Sequence, residues 1–180
     1  MTLVFDTSVL SCFARADRLE VLDKLTASSV RRVTTRAIID EIERGIPANP
    51  ALISVGEQRW LEKVPVDSPE ELGYFAEFAR RLVDRKGRNV GEASALAWIK
   101  VHGGVLFSDD QYAIVIAKEQ GITPQRTLRL LVKSVCDGLL RQEEAATLID
   151  ELIAGGAWFP CNGSAEFLSW ANREGFFDRT

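Results

Sequence analysis

Histidine is almost absent from this 180-residue chain, with His102 standing alone. That scarcity removes whole chemistries. Hydrolases of the Ser/His/Asp or Cys/His kind need an imidazole beside a nucleophile, and His102 precedes Gly103 and Gly104 at an expected helix exit with no nucleophile motif nearby. A cation there suits the helix dipole instead. Cysteine is also sparse: Cys12, Cys136 and Cys161 are odd in number, widely separated and without the paired spacings of zinc or redox motifs. They read as reduced, half-buried thiols. No apolar run approaches a membrane span, and the start MTLVFDTSV lacks the basic region of a secretory leader. The expectation is a soluble, cytoplasmic protein with no membrane contact.

No repeat, low-complexity tract or linker divides the chain, and 46% hydrophobic residues over this length suffice for a core without staples. One domain over residues 1–180 is therefore expected. The formal net charge is −4, unevenly spread: RRLVDRKGR, residues 80–88, sets five basic residues against one acid. Such a block is either solvated helix surface or a local patch for phosphates, formed by Arg80, Arg81, Arg85, Lys86 and Arg88.

TLVF reads as a short buried strand with a helix following from about Val9. VRRVTT is a second strand whose threonines can cap the helix RAIIDEIERG, closed by Gly45. Prolines 47 and 50 break the chain, and RWLEKVPV is a third strand that Pro65 pushes toward an edge. In SPEELGYFAEFARRLVDRKG, Ser68 is placed as N-cap, Pro69 at the first helical position and Glu71 three residues after the cap. GEASALAWIKVHGG predicts a buried helix, GVLFSDD a strand ending in two acids, and QYAIVIAKEQG another helix. From about Arg126 the pattern is helical. Strands alternating with helices define an α/β sandwich around a mainly parallel sheet.

Carboxylates stand in four places where local structure alone does not ask for them. Asp6 follows the first strand, where it either caps the next helix or faces the ligand crevice of an open parallel sheet. Arg36, Asp40 and Arg44, spaced four apart, form an outward ladder, whereas Glu41 shares a side with Ala37 and Ile38 and leans inward. Glu92 lies with Ala95, Leu96 and Ile99 on the stripe a helix buries. Asp109 and Asp110 end the strand VLFS, one more acid than a cap requires. Two like charges about 4 Å apart repel by roughly 4 kcal/mol at an effective dielectric near 20. If these acids converge, a divalent cation relieves them, and an all-oxygen donor set selects Mg²⁺ or Mn²⁺. Such sites hydrolyse phosphodiesters through metal-activated water.

These stretches resemble the PIN-domain family of metal-dependent ribonucleases, in particular the VapC-like toxins of bacterial and archaeal toxin–antitoxin pairs. FDTS, TTRAIIDEIERG, NVGEASALAW and VLFSDDQYA follow the family's order and spacing over residues 3–125. TLRLLVKSVCDGLL with QEEAATLIDELIAGGAWFP resembles the C-terminal extension of one PIN subgroup. The resemblance implies a PIN-like three-layer α/β/α sandwich, with a core over about residues 1–125 and a helical extension over about 126–180. It implies Asp6, Glu41, Glu92 and Asp109 as catalytic, metal-binding acids, with Ser8 orienting the first and Ser108 supporting the site. The family's threonine, any residue, aspartate is here Ser108, Asp109, Asp110, so either Asp109 or Asp110 is the fourth ligand. Glu92 replaces the aspartate common in these toxins. The implied activity is RNA hydrolysis with Mg²⁺ or Mn²⁺, the implied partners an antitoxin protein and a second copy in a homodimer.

The alternative is a catalytically inactive PIN-like protein-binding module, its interface drawn from the aromatic residues of WFPCNGSAEFLSWANREGFF. A phosphatase of haloacid dehalogenase type is disfavoured, because Ser8 occupies the place of its second acid.

Overall fold

The computed structural model describes residues 1–29, 31–84 and 87–173. Strand β1 (Thr2–Phe5) opens the chain, and its Val4 and Phe5 are wholly buried, as in strands covered on both faces. Asp6 caps helix α1 (Thr7–Arg15) by accepting from Thr7 N, so the helix begins two residues earlier than apolar spacing predicts. A short helix α2 (Leu19–Thr26) leads to β2 (Arg31–Thr35). Thr35 caps α3 (Arg36–Gly45) by accepting from Ile38 N. Pro50 then opens a 3₁₀ turn that runs into α4 (Ile53–Glu57), a helix hidden in the sequence by the proline pair. There follow β3 (Glu62–Val64), α5 (Pro69–Leu82), α6 (Val90–His102), β4 (Val105–Phe107), α7 (Gln111–Glu119) and β5 (Thr123–Gln125). Helices α8 (Thr127–Cys136), α9 (Gln142–Ala154) and α10 (Ser164–Arg173) complete the described chain.

The sheet is parallel throughout, in the order β3-β2-β1-β4-β5, with Val4 of β1 in register with Val33 of β2 and Leu106 of β4. The chain steps outward from β1 to β3, and α5 and α6 then return it to β4 on the far side of β1. Right-handed crossovers put the helices of the two halves on opposite faces, which yields the three-layer α/β/α sandwich. Direction reverses between β1 and β4, and the carboxyl ends of strands at such a point bound the usual ligand crevice. Leu131, Ile149, Leu152 and Phe167 of the C-terminal helices join the same apolar cluster as Val4 and Phe107. Cys12 and Cys161 lie inside and Cys136 is exposed, so none is half-buried as expected from sequence. Among the described residues, no helix is long and apolar enough to cross a membrane.

Helix α6 is buried from Gly91 to Ile99, and α5 packs along it. The start of α5 holds the pair together. Ser68 Oγ accepts from Glu71 N at 3.2 Å, and Glu71 Oε2 accepts from Ser68 N at 2.9 Å and Asp67 N at 3.2 Å. Glu71 Oε1 bonds His102 Nε2 at 2.8 Å, and the imidazole stacks on Trp98. The lone histidine thus joins the end of α6 to the cap of α5. Burial alone would raise the Glu71 carboxyl, but the bonds from Ser68, His102 and Asp67 hold it down at about 2.

Glu71→Gln is expected to cost about 2 kcal/mol of stability at pH 7, measured by urea unfolding. Because the folded pKa lies below the ordinary 4.5, this contribution is complete above that value and is lost as pH falls toward 2. Wild type and variant should therefore converge on acidification.

Candidate active site

Asp6 stands at the β1/β4 reversal and is fully buried. Its backbone N–H donates to Phe107 O at 3.0 Å, carrying the strand pairing one residue past the end of β1. Its Oδ1 accepts from Thr7 N at 2.7 Å, and its Oδ2 accepts from Ser8 Oγ at 2.9 Å and Ser108 Oγ at 2.6 Å. Each serine also accepts from the turn after β4: Ser8 Oγ from Asp109 N and Ser108 Oγ from Asp110 N, both at 3.1 Å. The first acid and the Asp109–Asp110 turn are thereby locked as one unit. Burial pushes the Asp6 carboxyl well above the usual range, the charge of Asp110 adds to this, and the three donated hydrogen bonds partly oppose it.

Glu41 comes from α3, on the side away from the exposed Asp40. Its Oε1 accepts from Gly91 N and its Oε2 from Thr7 Oγ1, both at 2.9 Å. It therefore caps α6 from outside. The residue at that helix's own cap, Asn89, is left-handed with φ 68° and makes no side-chain capping bond, its amide donating to Leu82 O instead. The approach is so close that a Cβ on Gly91 would lie 2.5 Å from Glu41 Oε2 and 2.8 Å from Ile38 Cγ1. Ser94 steadies the same turn: it donates to Gly91 O at 2.6 Å, which leaves the Thr35 hydroxyl as donor in the 2.5 Å contact between the two side chains.

Glu92 is the next residue along α6, 9% exposed, and its Oε2 is buried without a hydrogen-bond partner. Burial raises its carboxyl, followed by the charges of Asp6, Glu41 and Asp110. These four acids, contributed by four separate parts of the chain, act on one place. Glu41, Glu92 and Thr7 line a crevice of about 430 Å³ together with Arg44 and Arg88.

Asp109 is committed elsewhere. Its Oδ1 accepts from Thr127 N at 3.0 Å and its Oδ2 from Thr127 Oγ1 at 2.6 Å, so it fastens the start of α8, which Arg126 leaves without a side-chain cap. Burial raises its carboxyl and the two Thr127 bonds oppose that rise. Asp110 caps α7 through Oδ1, which accepts from Ala113 N at 2.7 Å, while its charge falls on both Asp6 and Glu92. Of the two acids expected as alternatives, Asp110 is the one whose charge falls on Asp6 and Glu92, while both oxygens of Asp109 are taken up by Thr127; the two line one crevice with Thr7 and Ser8.

The basic block is divided in a similar way. Arg80 is exposed, Arg81 pairs with Glu119, and Arg88 pairs with Asp84 while lining the acidic crevice. Arg85 and Lys86 lie outside the described residues. Sequence reasoning missed Thr7, Gly91 and Thr127. The hydroxyl in FDTS and the glycine opening an alanine-rich helix were local hints of the first two, whereas Thr127 becomes visible only once the chain is folded.

Among the described residues, no three Asp, Glu, His or Cys side chains close into a cage able to hold a metal ion by themselves. The donors still suit a hard divalent cation. An unpartnered carboxylate oxygen beside three further carboxylates leaves excess negative charge, and Mg²⁺ typically takes one or two carboxylates with waters and phosphates rather than an all-protein cage.

A doubly wound parallel sheet with carboxylates gathered at its switch point defines an α/β protein suited to metal-assisted chemistry on anionic substrates. A family model for the PIN domain matches residues 2–173, and the chain belongs to that family. The match runs into α10, well past the 3–125 stretch that carries the motifs. A search of curated proteins gave no match. PIN domains are typically nucleases and generally use divalent metals, which places nucleic acid as the substrate class.

Gly91→Ala should force Glu41 off α6. The expected result is a loss of about 1–3 kcal/mol in stability by thermal unfolding, together with a loss of any metal-dependent activity in the folded fraction.

Proposed function

We propose that this protein is an endoribonuclease dependent on Mg²⁺ or Mn²⁺, with Asp6, Glu41, Glu92 and Asp110 as its metal-site acids. The observation that carries this reading is the buried, unpartnered Oε2 of Glu92 within electrostatic reach of three other carboxylates. When bound, the cation supplies a water of lowered pKa and positive charge for the leaving oxygen. The chain's own residues set the geometry. Ser8, Ser108 and Thr7 fix the Asp6 carboxylate and leave one Oδ1 lone pair uncommitted, while Thr7 and Gly91 hold Glu41. Asp109 acts at one remove by anchoring the turn that carries Asp110. The resemblance to VapC-like toxins further supports a cytoplasmic toxin, homodimeric and held in check by an antitoxin protein, organised as one domain over residues 1–180.

Purified protein is expected to cut RNA with Mg²⁺ or Mn²⁺ and to stop with a chelator. Asp6→Asn, Glu92→Gln and Asp110→Asn should each reduce cleavage by about a hundredfold or more, whereas Asp40→Asn should leave it unchanged. Asp109→Ala should cost about 1–2 kcal/mol of stability through the freed start of α8. Saturating Mn²⁺, at about 100 times Kd, should stabilise the wild type by about 2.7 kcal/mol, and this gain should vanish in Glu92→Gln. Calorimetry showing no Mn²⁺ binding would favour the inactive module instead.

A further inference from the structure

Trp158 is 82% exposed, the most exposed large apolar side chain among the described residues. It is not a loose end. The next residue, Phe159, is buried, and the preceding turn at Gly155 and Gly156 lies against the end of α1, where a Cβ on Gly156 would come within 3.5 Å of Arg15 Nη1. The indole is thus held out from a fixed segment, with both neighbours in the chain anchored.

Its position continues the acidic site. A crevice of about 340 Å³ runs from Thr7, Ser8 and Asp110 past Arg15 to Trp158, a second of about 240 Å³ carries on from Trp158 to Lys118, Arg126 and Arg129, and Asp109 lines both. Among the described residues, none of these four cations has a carboxylate within ion-pair distance; Arg126 hydrogen-bonds the neutral Gln111. In a chain of net charge −4 these four cations outnumber the two acids of the crevices, Asp110 and Asp109, the latter held by Thr127 and within reach of the Arg126 charge, whereas Arg81 and Arg88 of the basic block are each paired. An exposed aromatic face among unpaired cations, leading into an acidic centre, matches a nucleic-acid strand with its bases unstacked. Phosphates meet the guanidinium and ammonium groups, and a base lies on the ring. A duplex cannot supply that base, because its faces are already stacked on neighbours.

We propose that this crevice is a single-stranded RNA subsite in which Trp158 stacks on an unpaired base flanking the scissile phosphate, with Arg15, Arg126 and Arg129 on the adjoining backbone. The assignment rests on the ribonuclease reading above and adds the residues of this chain that position the strand beside the cut. Trp158 and the arginines are positioning residues.

The test uses the intact protein with Mg²⁺ and a phosphorothioate oligouridylate that resists cleavage. Tryptophan fluorescence and anisotropy report stacking and affinity together. Expected are saturable quenching by the single strand and none by a duplex of equal length. Trp158→Ala should abolish the quenching and weaken binding by about 5- to 100-fold, while Trp158→Phe should retain most of the affinity. Arg129→Ala should reduce the slope of log affinity against log salt by about one. If the wild type cuts RNA but Trp158→Ala binds and cuts equally well, the subsite is overturned and the ribonuclease reading stands. A wild type that neither binds nor cuts RNA overturns that reading and the subsite with it. Quenching by a protein partner and not by RNA makes the crevice a protein interface and also overturns the subsite.

Discussion

Two serine hydroxyls meeting on one oxygen of a buried aspartate organise the centre of this molecule. Asp6 Oδ2 accepts from Ser8 and Ser108, and the same two oxygens receive the N–H groups of Asp109 and Asp110. A bare carboxylate in that position would cost several kcal/mol of lost hydration. Neutral donors offset much of the cost without cancelling the charge, so the acid stays costly to ionise yet fixed in direction. The other acids follow from this arrangement. Asp110 is carried on the clamped turn, and Glu41 is tied to Thr7, the residue next to Asp6.

Helix ends are the second constraint. Each acid at the site except Glu92 also caps a helix: Asp6 caps α1, Glu41 caps α6 and Asp110 caps α7. One oxygen of each anchors backbone N–H groups that would otherwise be orphaned, which fixes the rotamer of the other. Glu92 is the exception, with one buried oxygen left unsatisfied. Sites concentrate strain of this kind where ligands bind, and the rest of the fold supplies the stability that tolerates it.

What could be read from the sequence was whatever depends on near neighbours along the chain. The capping box at Ser68, the Thr35 cap and the inward lean of Glu41 against Asp40 are set by residues within four positions, and periodicity exposes them. The α/β alternation was equally plain, although not that every strand is parallel. Asp109 and Asp110 could not be separated, because what distinguishes them is Thr127, 18 residues on, brought alongside by tertiary folding. The basic block was legible only as composition, which counts charges; that Glu119 pairs with Arg81 from a different helix is set by the fold. Trp158 was noticed only as one of several terminal aromatics, and burial separates it from Phe159 beside it.

The sheet's two borders, β3 and β5, are only three residues long, and β5 carries Pro124, which has no N–H to offer. Such margins are poor templates for an incoming strand. Association through side chains and helical faces is thereby favoured, and growth by adding strand to strand, a route from sheets to fibrils, finds little purchase at either end.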